Sequence, residues 1–240
     1  GLTNITGTIS QLTATQAGNL SSNLTSSNST LNFNMKTDST GTLGVTAADG
    51  LLDHTNTSSA TVNFGGGVTD SLSAFASTSS TTTNLQAIYA EDTDLAITID
   101  NSGTALSTAN DITAVNKIAT LFQASGTGTM TATVSAAKSV LVSGDVGSEA
   151  ATLSTDSTDT INITVSNALT PNEWAAIKSK TGGTVTANGG FSAALSQFAS
   201  HTGLETNWDN AVTANPAKAV TITDNKLTTA NQIAALNNIA

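Results

Sequence analysis

The chain has 240 residues, a formal net charge of −10 and only 7 cationic side chains, all of them lysine. Without arginine there is no forked donor for phosphate, and a net-negative surface repels polyanions, so nucleic-acid binding is excluded and anionic membrane surfaces are disfavoured. Cysteine is absent, which removes disulfides, thiolate metal sites and cysteine nucleophiles together.

In chain order, NITGTI from Asn4 has the composition of a strand, and Leu12-Thr13 with Gln16 opens a helix through a hydroxyl cap. Residues 21–42 are rich in Ser, Thr and Asn and are expected to be loops or weak edge strands. His54 follows Asp53, but no nucleophile elbow or third triad member accompanies the pair, so catalysis is not predicted. The densest acidic cluster is AEDTDLAITID, with Glu91, Asp92, Asp94 and Asp100. Hard oxygen ligands at alternating positions make these four a candidate Ca²⁺ site, although the EF-hand spacing and the Gly-Asp nonapeptide of calcium-binding β-rolls are both missing.

Leu95–Asp100 then reads as a strand, and LSTANDITAVNKIA as a helix with Ser107 at the N-cap, Asn110 at N3, and Ile112, Val115, Ile118 and Phe122 on one stripe. GTGTMTATV from Gly126 alternates Thr129, Thr131 and Thr133 with small or apolar residues, the pattern of a half-buried strand. Residues 147–160 read as a loop, and a solvated acidic turn accounts for Asp156 and Asp159. INITV at Ile161 is a further strand. LTPNEWAAI is the clearest helix start, with Thr170 as cap, Pro171 at N1, Glu173 at N3 and Trp174 on the core side. GGTVTAN places Thr184 and Thr186 on one strand face, and His201 has no acidic or nucleophilic partner at a recognisable spacing. Trp208, in TNWDN, is expected to be an exposed aromatic able to stack on sugars. AVTIT carries Thr221 and Thr223, and Leu227-Thr228 with Asn231 opens a last helix with Ala230, Ile233, Leu236 and Ala240 on its stripe.

Two of these segments are copies. Sliding the chain by 123 positions sets Gly66-Gly67 on Gly189-Gly190, Leu72 on Leu195, Phe75-Ala76-Ser77 on Phe198-Ala199-Ser200, and Ala96, Thr98 and Ile99 on Ala219, Thr221 and Ile222. After a two-residue deletion LSTANDITAVNKIA falls on LTTANQIAALNNIA with nine of fourteen residues identical. The shared residues turn, pack and cap; His, Asp, Glu, Trp and Lys are not shared. The chain is thereby divided into a divergent region 1–65, a copy 66–188 and a truncated copy 189–240, ending in mid-repeat. Leu, Ile, Val and Phe make up roughly a fifth of the chain, which suits thin cores spread along an array. The expected fold is mixed α and β, β-rich: an elongated, solenoid-like array of strand–short helix–strand units.

Units such as NITVSNALTPNEWAAIKSKTGGTVTA and AVTITDNKLTTANQIAALNNIA resemble the degenerate tandem repeats of very large cell-surface proteins of marine bacteria, the cyanobacterial surface and swimming-motility-associated type in particular. The resemblance implies an exported, extended array whose secretion depends on sequences outside this segment. The expectation is a non-catalytic structural or adhesive segment of an extracellular surface, sheath or filament protein, without enzyme activity or cofactor. Its partners would be other copies, neighbouring repeats or surface polysaccharide, with no insertion of this segment into a membrane. One alternative is a glycan- or ice-binding adhesin module working through the threonine rows and Trp208; another is a phage tail-fibre-type protein.

Overall fold

In the computed structural model residues 4–8, 32–36, 43–52, 62–144 and 149–240 are described, and they form a mixed α/β protein with a parallel sheet at its centre. The predicted helix at Leu12-Thr13 with Gln16, the pair Asp53 and His54, and most of 21–42 lie outside the described residues. The exception is Asn32–Lys36, expected to be a loop or edge strand, which is the middle strand of a parallel trio.

The chain separates into two compact units, one made of residues up to Thr104 with Thr113–Ala132, the other of Ala105–Ile112 with Thr133–Ala240. In the first, β1 (Asn4–Thr8), β2 (Asn32–Lys36) and β3 (Val62–Asn63) pair in parallel with Ile5 opposite Phe33 and Phe33 opposite Val62. Helix α1 (Val45–Leu52) precedes β3, and β4 (Val68–Asp70) follows it. The single-turn helix α2 (Leu72–Phe75) leads to α3 (Thr83–Glu91), which packs on α1, and to β5 (Ala96–Ile99). Most of α4 (Ala109–Ser125) and the first half of β6 (Thr129–Ala136) complete the unit, with parallel order β4-β5-β6. Val115, Ile118 and Phe122 of the α4 stripe are buried. Side chains of this size stabilise by about 1.5–3 kcal/mol each when taken from water. Tyr89 stacks on Phe122 at 4.7 Å and donates its hydroxyl to the Phe122 carbonyl at 2.9 Å, so even this buried polar tip is satisfied.

In the second unit the latter half of β6 leads through α5 (Lys138–Leu141) and the antiparallel pair β7 (Val142–Ser143) and β8 (Ala150–Ala151) to β9 (Thr160–Val165). Helix α6 (Pro171–Lys178) connects β9 to its parallel neighbour β10 (Val185–Ala187). After β11 (Phe191–Ala193) come a 3-10 turn at Leu195–Gln197, a second antiparallel pair β12 (Ala199–Ser200) and β13 (Gly203–Leu204), helix α7 (Thr206–Ala214) packed on α6, and β14 (Val220–Ile222), parallel to β11. Helix α8 (Ala230–Ile239) ends the chain. No helix among the described residues is long and apolar enough to cross a membrane.

The helix starts confirm the cap chemistry but move it by one residue in two places. At α6 the cap is as expected: Thr170 accepts from the Glu173 N–H, Glu173 accepts from the Thr170 N–H, and Pro171 sits at N1. At α4 the cap is Thr108 rather than Ser107, and Asp111 rather than Asn110 reaches back, accepting from both the Ser107 and Thr108 N–H at 2.9 Å. At α8 it is Thr229 with Gln232, not Thr228 with Asn231. A hydroxyl three residues before Asp or Gln closes the reciprocal box, whereas Asn110 and Asn231 stand three residues after the wrong hydroxyl.

Candidate functional site

The most regular feature of the molecule is a set of backbone closures that recur. The pattern Ile/Val-Thr-Ile/Val-x-Asn/Asp ends β5, β9 and β14 as ITIDN, ITVSN and VTITD. Its last residue points an oxygen back at the start of the single turn that follows the preceding strand. Asn101 accepts from the Leu72 N–H at 2.9 Å, Asn167 from Lys138 at 3.1 Å and Asp224 from Leu195 at 2.6 Å, each across 29 residues. The residue before it donates its own N–H to the end of that preceding strand: Asp100 to Asp70, Ser166 to Ala136 and Thr223 to Ala193. Each closure satisfies an otherwise orphaned donor at a helix start and locks one parallel strand to the next.

A second recurrence follows the 123-residue spacing. Gly67 and Gly190 both have φ +75°, and a Cβ on either would run into a backbone carbonyl, that of Ala96 at 2.8 Å in one case and that of Ala219 in the other. Asp92 and Asn215, also 123 apart, are 5% and 3% exposed. Asp92 accepts from the Phe64 N–H at 2.6 Å, and Asn215 accepts from Ala187 at 2.9 Å. The amide does more than the carboxylate: its Nδ2 donates to the carbonyls of Val185 and Ala211, both at 3.1 Å. Burial, reinforced by the adjoining Asp94 carboxylate, pushes the Asp92 carboxyl from 3.8 up to about 6, partly opposed by the Phe64 N–H. Asp94 moves the other way, below its usual range, because it is hydrogen-bonded to the Asp92 carboxyl.

The four candidate calcium ligands are therefore engaged in different tasks. Asp92 is buried on the Phe64 amide, Asp94 is tied to Asp92, and Asp100 accepts from the Gly103 N–H at 3.1 Å in its own turn, while Glu91 is exposed at the end of α3. Among the described residues no three His, Cys, Asp or Glu side chains form a group that could hold a metal ion. Asp156 accepts from the Thr158 N–H and hydroxyl, which hold it below the usual carboxylate range, but Asp159, expected to be solvated, is 5% exposed. His201 is exposed beside an open dent of about 220 Å³ whose one carboxylate, Asp224, already accepts from Leu195. An ion pair of Lys138 with Glu173 at 3.0 Å joins the start of α5 to the capping carboxylate of α6.

The threonine rows lie where the alternation placed them. On β6, Thr131 and Thr133 are exposed and Thr129 half-buried, while Met130, Ala132 and Val134 are buried. Thr69, Thr98 and Thr131 stand directly opposite one another across β4, β5 and β6. In the second unit Thr186, half-buried, stands opposite Thr164, and the exposed Thr184 donates its N–H and hydroxyl to Asn162 at 3.1 and 3.0 Å. Thr221 and Thr223 are exposed, Thr221 opposite Ser192. Parallel sheets are ordinarily covered on both faces; here the strands alternate as if one face were open. Trp208 does not accompany these rows. It is 3% exposed, with its ring edge-on to Phe191 at 5.1 Å and Phe198 at 5.0 Å, so the expected sugar-stacking aromatic is a core residue.

Compared with protein-family models, curated proteins and solved structures, the chain matches none.

Proposed function

We propose that this chain is a non-catalytic structural repeat segment of an extracellular cell-surface, sheath or filament protein. Its finer architecture would be an array of strand–short helix–strand units. The observation that carries the reading is the threefold closure by Asn101, Asn167 and Asp224: the recurring elements satisfy backbone, cap turns and pack cores. The residues that could do chemistry do not recur with them. His201 and Trp208 stand where the first copy has Thr78 and Leu85. A frame that repeats contacts and varies its reactive groups suits a structural role better than an active site. A chain without cysteine holds no thiol that an oxidising compartment outside the cell would alter.

Small-angle scattering tests the reading. Joining a second copy of residues 66–240 in series should lengthen the particle in proportion while its cross-section stays constant; a particle that grows equally in all directions would count against an array. A second reading, an adhesin module binding glycan or ice, is favoured by one observation, the in-register row Thr69, Thr98 and Thr131. Strands in such a row are about 4.7–4.9 Å apart, giving a regular lattice of hydroxyl and methyl groups. Thermal hysteresis, or a glycan that Thr131→Tyr displaces, would support that reading, and neither is expected of a purely structural segment.

A further inference from the structure

Four large apolar side chains are exposed among the described residues: Leu204, Val220, Ile233 and Leu236. Three of them lie on the edge made by β14 and α8, and their counterparts in the first copy are all buried. Val220 is 38% exposed where Ile97 is 2%; Ile233 is 53% exposed where Ile112 is 3%; Leu236 is 36% exposed where Val115 is 0%. Helix α8 is nonetheless fixed in place, because Ala235 and Ile239 pack in a cluster with Leu195, Ala199, Ile222 and Leu227. The exposed stripe is thus an ordered surface of Ile and Leu on a seated helix.

The first copy records what belongs there. β5 pairs on one side with β4 and on the other with β6, setting Ala96, Ile97 and Thr98 opposite Thr129, Met130 and Thr131. The Thr127 and Thr129 N–H groups donate to the carbonyls of Thr93 and Leu95, and Leu106 bridges Val134, donating to Thr133 and accepting from Ser135. β14 pairs with β11 alone, so Ala219, Val220 and Thr221 face no strand on the other side among the described residues. The carbonyls equivalent to those of Thr93 and Leu95 belong to Pro216 and Lys218, and the residue equivalent to Leu106 is Leu227, half-buried rather than buried. β14 itself, Val-Thr-Ile, carries no charge or proline, the usual devices that blunt an edge against pairing.

We infer that the edge of β14, Leu227 and the Ile233/Leu236 stripe of α8 is a docking site for one more parallel β-strand of the kind formed by Thr129–Ala136, supplied by a neighbouring repeat of the same type. The occupant is specified by its chemistry. Threonine alternates with small or flexible apolar residues, the apolar set facing Val220 and the α8 stripe and the threonines extending the row that Thr221 shares with Ser192. Main-chain hydrogen bonds supply affinity and the alternation supplies register. The inference rests on the scaffold reading and deepens it.

The test uses the full 240-residue chain and a synthetic peptide of residues 126–137, GTGTMTATVSAA. In an amide-resolved NMR titration the peptide should bind saturably, with shifts confined to 216–223 and 227–239. A peptide of the same composition with each Thr–apolar pair exchanged, which turns the apolar set to the wrong face, should not bind. Val220→Lys and Ile233→Glu alter exposed side chains; each should weaken binding at least tenfold while the fluorescence of buried Trp208 stays unchanged. A second variant keeps the strand at high effective concentration by following Ala240 with the sequence of residues 120–137; the Val220 and Ile222 amides should then exchange at least tenfold more slowly. Absence of both effects would overturn the inference while leaving the scattering test of the scaffold reading intact. Dimerisation of the unmodified chain that Val220→Lys abolishes would overturn it too, by assigning the edge to a second copy.

Discussion

The exchange of a carboxylate for an amide at one buried position makes a quantitative prediction. Asp92 and Asn215 occupy equivalent places and receive equivalent backbone donors, but only Asp92 titrates. Its folded-state value of about 6 lies above the 3.8 of an ordinary aspartate, because burial and the neighbouring Asp94 disfavour the charged form. A raised carboxyl value means that the stabilising contribution is complete below about pH 3.8, declines between there and pH 6, and is lost above. At 1.36 kcal/mol per unit the decline amounts to about 3 kcal/mol as a ceiling, and relaxation around the charge will reduce it to about half. Asp92→Asn removes the titration and supplies the donors that Asn215 already uses. The variant should therefore be more stable than the parent by about 1–3 kcal/mol at pH 8 and indistinguishable from it near pH 4.

The assay is urea or thermal unfolding of parent and variant at both pH values, with exchange of the Phe64 amide as local reporter. The double difference matters, since the carboxylates other than Asp94, whose lowered value itself depends on Asp92, titrate alike in the two proteins and cancel between them. Both tryptophans lie in the second compact unit, so their fluorescence follows a part of the chain that Asp92 does not occupy and serves as an internal control. The mirror substitution Asn215→Asp should do the reverse. It should impose pH-dependent loss on the unit that Trp174 and Trp208 report, with recovery as the introduced carboxyl takes up its proton. An Asp92→Asn shift of equal size at pH 4 and pH 8 would refute the assignment of the raised value to burial of this group.

Gly190→Ala, with φ +75° and the Ala219 carbonyl in the path of the new methyl, should cost about 3 kcal/mol, whereas Gly103→Ala, at φ +77° with nothing within 4 Å, should cost only about 1–2 kcal/mol of left-handed strain; denaturant midpoints separate the two. Asn101→Ala, Asn167→Ala and Asp224→Ala should each cost about 1 kcal/mol and Asn101→Asp or Asp224→Asn under about 0.5 kcal/mol, since an acceptor oxygen survives in the second set. Trp208→Ala should destabilise the second unit by about 3–5 kcal/mol, because the indole fills a buried site against Phe191 and Phe198; a change under about 1 kcal/mol in chemical unfolding would return Trp208 to the surface. Thr131→Ala on the open strand face should change stability by no more than about 0.5 kcal/mol, read in the same way.

Much of the frame is legible from spacing alone. Strands β1, β5, β6, β9, β10 and β14 stand where runs of Ile, Val and Thr are bounded by Gly or Asn, and helices α4, α6 and α8 stand behind Leu-Ser/Thr. Helices α3 and α7 escape such a reading, since TNLQAIYAE and TNWDNAVTA are short and have no Leu-Ser/Thr before them and no acidic N3 residue to announce them. The polar neighbours of Trp208 point to the surface, although the repeat holds the answer: the equivalent residue is Leu85, fully buried. Asn101, Asn167 and Asp224 are visible as the last letter of a recurring pentapeptide, but nothing local tells that their oxygens reach back 29 residues to a helix start. The constant spacing of 29 residues becomes a contact only because each strand lies beside the one it reaches back to, and strand order is not written in the spacing.

The way the two copies distribute Asp and Asn shows what the frame requires. At the buried position the first copy has Asp92 and the second Asn215; at the closure after the strand the first has Asn101 and the second Asp224. Every one of these residues presents an oxygen to a backbone N–H, so the common requirement is an acceptor at a fixed place and not a charge. Where the acceptor is exposed, as at Asp224, water solvates the carboxylate and the choice between acid and amide is nearly neutral. Where it is buried the choice is not neutral, because a carboxylate must either lose hydration or keep its proton, and an amide avoids both while gaining two donors. The second copy thus places each type where it costs less, and the first tolerates the opposite arrangement with a buried Asp92 carboxyl that gives up its proton only near pH 6. A frame selected for charge would have kept the carboxylates in register; this one has kept the hydrogen bonds.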